Sequence, residues 1–149
     1  IAEKISELPG VPMIWITASE LAPANLPSYE HLLRLSFADI DFMSKSLSAR
    51  AQEKLSDAMT EEQAVQILKF VESLPNETHT LLVHCEGGFS RSCGVVASLK
   101  QLFGFEVETD RLEDTNPSVT SLLLDMVSAQ SKSQKFKKKW VTPYWALQK

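Results

Sequence analysis

An α/β domain with parallel strand pairs is the fold class this sequence predicts, on three observations. Strand-sized apolar runs alternate with helical patterns, in the order strand, loop, strand, helix, strand, helix, helix. The run ending at Cys85 passes through a Gly-bearing turn directly into a helical pattern. No Pro/Gly linker divides the 149 residues, so the chain reads as one domain, 1–149, with a basic aromatic tail over about 132–149.

"PMIWITA" (12–18) is β-branched and aromatic and reads as the first strand, and the proline-bearing loop "SELAPANLPS" follows. In "HLLRLSF" (31–37), Leu33, Leu35 and Phe37 alternate with Arg34 and Ser36, the pattern of a strand with one buried face. "ADIDFMSKS" continues as a polar loop, and in 46–58 the apolar residues Leu47 and Leu55 are too sparse to fix more than a short helix. Thr60 and Gln63 have the spacing of a capping box, opening a helix with a stripe of Val65, Leu68, Phe70/Val71 and Leu74 that Pro75 ends. "HTLLVH" (79–84) suits a strand covered on both faces. Helical spacing resumes from about Ser92 to Phe103, with Gly104 as its stop, whereas "FGFEVE" is too weakly periodic for a strand. Asn116 and Pro117 supply an N-cap and a first-turn proline for a helix to about Gln130.

Composition narrows the function classes. A hydrophobic share of 44% fits an ordinary globular domain, and a formal net charge of −4 gives no reason to expect a nucleic-acid partner. The apolar runs fall far short of a membrane span, and "IAEKISELPG" lacks the basic-then-apolar order of a signal peptide. Two cysteines eight residues apart make a poor disulfide framework, so free thiols in a reducing cytoplasm are expected.

The chemistry concentrates in "LLVHCEGGFSRSCGVV" (81–96). A strand that enters a Gly-bearing loop and then a helix builds an anion site, because loop N–H groups and the positive end of the helix dipole converge on one spot. Glu86, Gly87, Gly88, Phe89 and Ser90 form that loop, with the two glycines able to take unusual backbone angles. Arg91 opens the helix and can grip two oxygens of a phosphate with its planar fork. Cys85 lies at the base of the loop, where N–H groups, a helix N-terminus and a guanidinium all favour the thiolate. Sulfur below a bound phosphate is placed to attack phosphorus. Ser92 can donate its hydroxyl to the sulfur when the phosphocysteine breaks down, and His84 can orient the cysteine. Hydrolysis in two steps through a covalent intermediate is nucleophilic catalysis.

"HCEGGFSRS" resembles the His-Cys-five residues-Arg-Ser/Thr signature of the cysteine-dependent protein tyrosine and dual-specificity phosphatases. The chain is similar to their small, single-domain bacterial members over roughly residues 11–130. The likeness rests also on the leucine–arginine strand, a Phe-x-Asp loop, the helix start at "MTEEQA" and the asparagine–proline helix start. The resemblance implies a protein-tyrosine-phosphatase-like fold with a mostly parallel central sheet flanked by helices. It also implies hydrolysis of phosphate monoesters on a phosphorylated protein or peptide, with neither metal nor other cofactor.

The family supplies the leaving group's proton from an aspartate on an upstream loop. In "SFADIDF", aligning Phe37 and Ile40 with the family's Phe-Asp-Asp-Ile puts the acid on Asp39, with Asp41 as the alternative; Ala38 departs from the pattern. In some relatives a second cysteine forms a reversible disulfide with the nucleophile, a role open to Cys93, although a small core residue on an apolar helix face is the favoured account. Lysine-free Glu86–Ser90 disfavours an inositol-lipid substrate. The tail after Ser131 carries six lysines and no acid, with Trp140, Tyr144 and Trp145; packing against the domain is favoured over contact with a membrane surface. A catalytically silent phosphoprotein-binding module is the competing function.

Overall fold

The computed structural model describes residues 10–19, 21, 29–107, 112–130 and 140–143. Its strands are β1 (Met13–Thr17), β2 (Leu32–Ser36), β3 (Thr80–Cys85) and β4 (Trp140–Pro143), and its helices are α1 (Ala49–Glu53), α2 (Glu61–Ser73), α3 (Arg91–Phe103) and α4 (Pro117–Gln130). The four strands form one sheet in the order β2-β1-β3-β4, and every adjacent pair is parallel. An α/β architecture with a parallel sheet and flanking helices is therefore present.

Alternation along the central strands sorts side chains between two faces. Ile14, Ile16, Leu81, Val83 and Cys85 join Leu35 and Phe37 in one core with buried residues of α2, α3 and α4. Met13, Trp15 and Leu82 form a smaller cluster with Val11, Tyr29 and Leu32. All five residues of β1 are buried, as are Leu81 to Cys85 of β3, so both central strands are covered on both faces, as parallel strands require. The register sets Trp15 beside His84 and Ile16 beside Cys85. Cys85 thus belongs to the helix-covered face and His84 to the other.

The helix signals act locally as expected. Thr60 Oγ1 accepts from the Gln63 backbone N–H at 3.3 Å and the Gln63 side chain accepts from the Thr60 N–H at 3.0 Å, completing the capping box. The α2 stripe is Ala64, Ile67, Leu68 and Val71, with Val65 only half-buried. The buried face of α2 is thus centred on Ala64 in place of Val65. Gly104 takes a left-handed conformation (φ 69°) and ends α3. Asn116 Oδ1 accepts from the N–H groups of Ser118 (3.0 Å) and Val119 (3.1 Å), capping α4. The 46–58 stretch divides into α1 and a 3₁₀ turn at Leu55–Asp57. β4 was not expected; it arises inside the basic tail, whose lysines 132–139, with Tyr144, Trp145 and Asp110, lie outside the described residues.

Candidate active site

The C-terminal ends of β1, β2 and β3 meet at one edge of the sheet, the position where open parallel sheets bind ligands. The loop 86–90 leaves β3 there and returns as α3, so Cys85 and Arg91 both sit at this edge. Gly88 supports the turn with a φ of 71°, a conformation that a side chain disfavours, and its N–H donates to the Cys85 carbonyl at 3.1 Å. That N–H is thereby used within the loop, so Gly88 shapes the cradle. Phe89, in the same loop, is 50% exposed.

Cys85 is buried, and two groups of Ser92 converge on its sulfur: the hydroxyl lies 3.1 Å from Sγ and the backbone N–H donates to it at 3.4 Å. Because Ser92 lies in the first turn of α3, the same contact aims the helix N-terminus at the sulfur.

Arg91 is the most tightly constrained group of the site. Only 5% exposed, it donates from Nη1 to the Phe37 carbonyl at 2.9 Å and from Nη2 to Glu86 Oε2 at 3.0 Å. Glu86 Oε1 accepts from the Ala18 N–H at 3.2 Å, so one carboxylate ties the loop to the end of β1 while holding the guanidinium. Arg91 Nε is buried without a hydrogen-bond partner among the described residues. A buried donor left unsatisfied costs about 1–3 kcal/mol. An oxyanion that accepts from Nε, with the second Nη2 hydrogen alongside, would satisfy it and use the fork in its strongest geometry.

Asp39 faces this site. Its Oδ1 accepts from the Ser90 hydroxyl at 2.8 Å and from Asn116 Nδ2 at 2.8 Å. Asn116 Nδ2 also donates to the Ile40 carbonyl at 3.1 Å, so the α4 cap ties the loop at Asp39–Ile40 to the start of α4. Asp41 turns the other way and accepts from the Ser118 hydroxyl at the start of α4. Asp39 and Arg91 line one cleft of about 330 Å³; Asp41 does not line it.

His84 lies on the second face of the sheet, its ring centroid 4.4 Å from that of Trp15. Burial there pushes its pKa down to about 4, with the Glu86 carboxylate opposing that shift, so the ring is neutral near pH 7. Cys93 is buried on α3, outside any disulfide, and its thiol donates to the Gly88 carbonyl at 3.6 Å.

The structure thus brings together Cys85, Ser92, Arg91, Glu86, Ser90 and Asp39 and sets Asp41 and His84 apart. Sequence reasoning did not find the Asn116–Asp39 bond or the Phe37 carbonyl on Arg91. Asn116 carried a legible cap signal, but no local pattern could reveal a partner 77 residues away. Among the described residues no cluster of His, Cys, Asp or Glu could hold a metal ion, and no helix is long and apolar enough to cross a membrane. No protein-family model, curated protein or solved structure matches the chain.

Proposed function

We propose that the chain is a phosphatase of protein-tyrosine-phosphatase-like fold that hydrolyses phosphate monoesters on protein tyrosine through a phosphocysteine. The observation that carries this reading is the buried Arg91 fork, pinned by Phe37 and Glu86 with Nε unsatisfied, on the same short loop as the buried Cys85 sulfur.

In the first step the Cys85 thiolate attacks phosphorus while the bond to the tyrosyl oxygen breaks. Arg91 and loop N–H groups neutralise charge on the equatorial oxygens, where preorganised donors contribute most. Asp39 transfers its proton to the departing phenolate oxygen. In the second step water attacks phosphorus, Asp39 takes the water's proton, and the S–P bond breaks as the Ser92 hydroxyl hydrogen-bonds the leaving sulfur. Inorganic phosphate and the starting enzyme result. Two features support an aryl ester: Cys85 lies deep, at 2% exposure, and Phe89 at the rim offers an apolar wall to a phenyl ring.

Hydrolysis of para-nitrophenyl phosphate by reduced protein without added metal tests the proposal. Turnover is expected in the wild type and is expected to vanish in Cys85→Ser. Turnover that persists in Cys85→Ser would remove the sulfur from the mechanism. Failure of the wild type to hydrolyse any aryl phosphate while binding phosphopeptides would leave a binding module in its place.

A further inference from the structure

We propose that Asn116 is a positioning residue for the acid: with Ser90 it fills one carboxyl oxygen of Asp39, so the transferred proton is carried on the other. The inference rests on the phosphatase reading and assigns to a residue outside the anion loop the aiming of the proton that Asp39 delivers.

Three segments meet at Asp39. The Ser90 hydroxyl and Asn116 Nδ2 both donate to its Oδ1, each at 2.8 Å, and the Asn116 backbone N–H donates to the Ser90 carbonyl at 3.3 Å. The loop after β2, the end of the anion loop and the start of α4 thus close a triangle of hydrogen bonds. Because Ser90 immediately precedes Arg91, its bond sets the carboxyl beside the loop that begins at Cys85. A neutral carboxyl has one carbonyl oxygen, an acceptor, and one hydroxyl, a donor. With two donors on Oδ1, that oxygen is the carbonyl and the proton belongs to Oδ2. Asp39 is exposed, and Oδ2 accepts no hydrogen bond among the described residues, so its O–H is open to a substrate. In the first step Oδ2 gives its proton to the phenolate oxygen, which leaves with the electron pair of the P–O bond; in the second it takes a proton from the attacking water.

Capping alone does not account for an asparagine at 116. The cap uses only Oδ1, which accepts from the Ser118 and Val119 N–H groups, and Asp, Ser or Thr would serve that end. The side chain is buried, and Nδ2 donates both to Asp39 and to the Ile40 carbonyl. Both lone pairs and both hydrogens of the amide are therefore used. Among the favoured N-cap residues only asparagine joins a capping oxygen to two donated hydrogens.

The test is kcat and KM on para-nitrophenyl phosphate and on phenyl phosphate, the poorer leaving group, for the wild type, Asn116→Ser, Asp39→Asn and the double variant. Asn116→Ser keeps a capping oxygen and has no amide to reach Asp39. It is expected to lower kcat on phenyl phosphate by about tenfold or more with KM nearly unchanged, and kcat on para-nitrophenyl phosphate by only about twofold. In the Asp39→Asn background the same substitution is expected to cost less than about twofold on either substrate, because the proton it aims is gone. Ser90→Ala leaves the cap intact and is expected to show the same pattern to a smaller extent; it carries the test if thermal unfolding shows Asn116→Ser unfolded. Equal losses on the two substrates, a loss confined to KM, or an undiminished loss in the double variant would make Asn116 a structural cap and overturn the role. Any of these results alongside wild-type turnover defeats the positioning role alone. If the wild type hydrolyses neither ester, the phosphatase reading fails and the positioning role falls with it.

Discussion

Two aspartates two positions apart have different surroundings, and that difference divides their roles. Asp39 points toward the anion loop, bonded by Ser90 and Asn116, whereas Asp41 is held by Ser118 at the base of α4. Asp39→Asn is expected to lower kcat on a poor leaving group by about 10²–10⁴, with less loss on para-nitrophenyl phosphate. The alkaline limb of the pH–rate profile, where a general acid loses its proton, is expected to flatten in that variant. Asp41→Asn is expected to cost about 1 kcal/mol of stability through a weakened hydrogen bond and to keep the profile. Kinetics of both variants on two leaving groups check the assignment, and the reverse pattern would transfer the acid to Asp41. The resemblance confined the proposed acid to this pair, and its alignment of Phe37 and Ile40 favoured Asp39. The contacts of Ser90 and Asn116 with Asp39 were not legible, because those side chains reach it only in the folded chain.

The contact between α3 and α4 controls the site from below. Gly94 lies where a Cβ would come within 2.9 Å of the Val119 Cβ and 3.0 Å of the Asn116 carbonyl oxygen. The approach brings the Gly94 carbonyl to the Thr120 hydroxyl at 3.1 Å and the Asn116 N–H to the Ser90 carbonyl at 3.3 Å. Gly94→Ala must therefore move backbone, and overpacking of this kind typically costs about 1–3 kcal/mol. Because Asn116 also holds Asp39, the same shift is expected to reduce turnover of poor leaving groups under conditions where the variant is fully folded. Denaturant unfolding beside kinetics checks both effects; unchanged stability would mean the helices are not in contact. Helices with strong end signals were legible: Thr60 with Gln63, Gly104 and Asn116–Pro117 each mark their termini. α1 was blurred because none of its residues is buried, so no apolar stripe writes it into the sequence. β4 was hidden because its four residues include Pro143 and follow a lysine run, and its pairing with β3 is a long-range fact.

At the scale of the molecule, one parallel sheet gathers the site from residues spread between Ala18 and Asn116, and its two central strands, β1 and β3, are buried on both faces. That burial has a pH consequence through His84. Its pKa in the folded chain is about 4, below the ordinary value of 6.5, so between these values the unfolded chain binds a proton that the folded chain does not. Stability contributed by the neutral ring is present above pH 6.5 and lost as pH falls toward 4. The loss amounts to roughly 3 kcal/mol at most. Denaturant midpoints across this range are expected to fall with pH and to fall less in His84→Gln, whose slope would match the wild type only if His84 were hydrated in the folded state. The strand–loop–helix unit was the most legible part of the molecule, since its spacing is local. The clamp of Glu86 on Ala18 and of Phe37 on Arg91 joins the ends of three strands and was not. The central claim is that sulfur carries the phosphoryl group. The most direct test is acid quenching of Ser92→Ala, in which loss of the hydroxyl beside Sγ slows breakdown, during turnover of para-nitrophenyl phosphate. Mass spectrometry of the peptide containing Cys85 is predicted to find one added phosphoryl group, absent from Cys85→Ser; hydrolysis proceeding with that peptide unmodified would contradict the account.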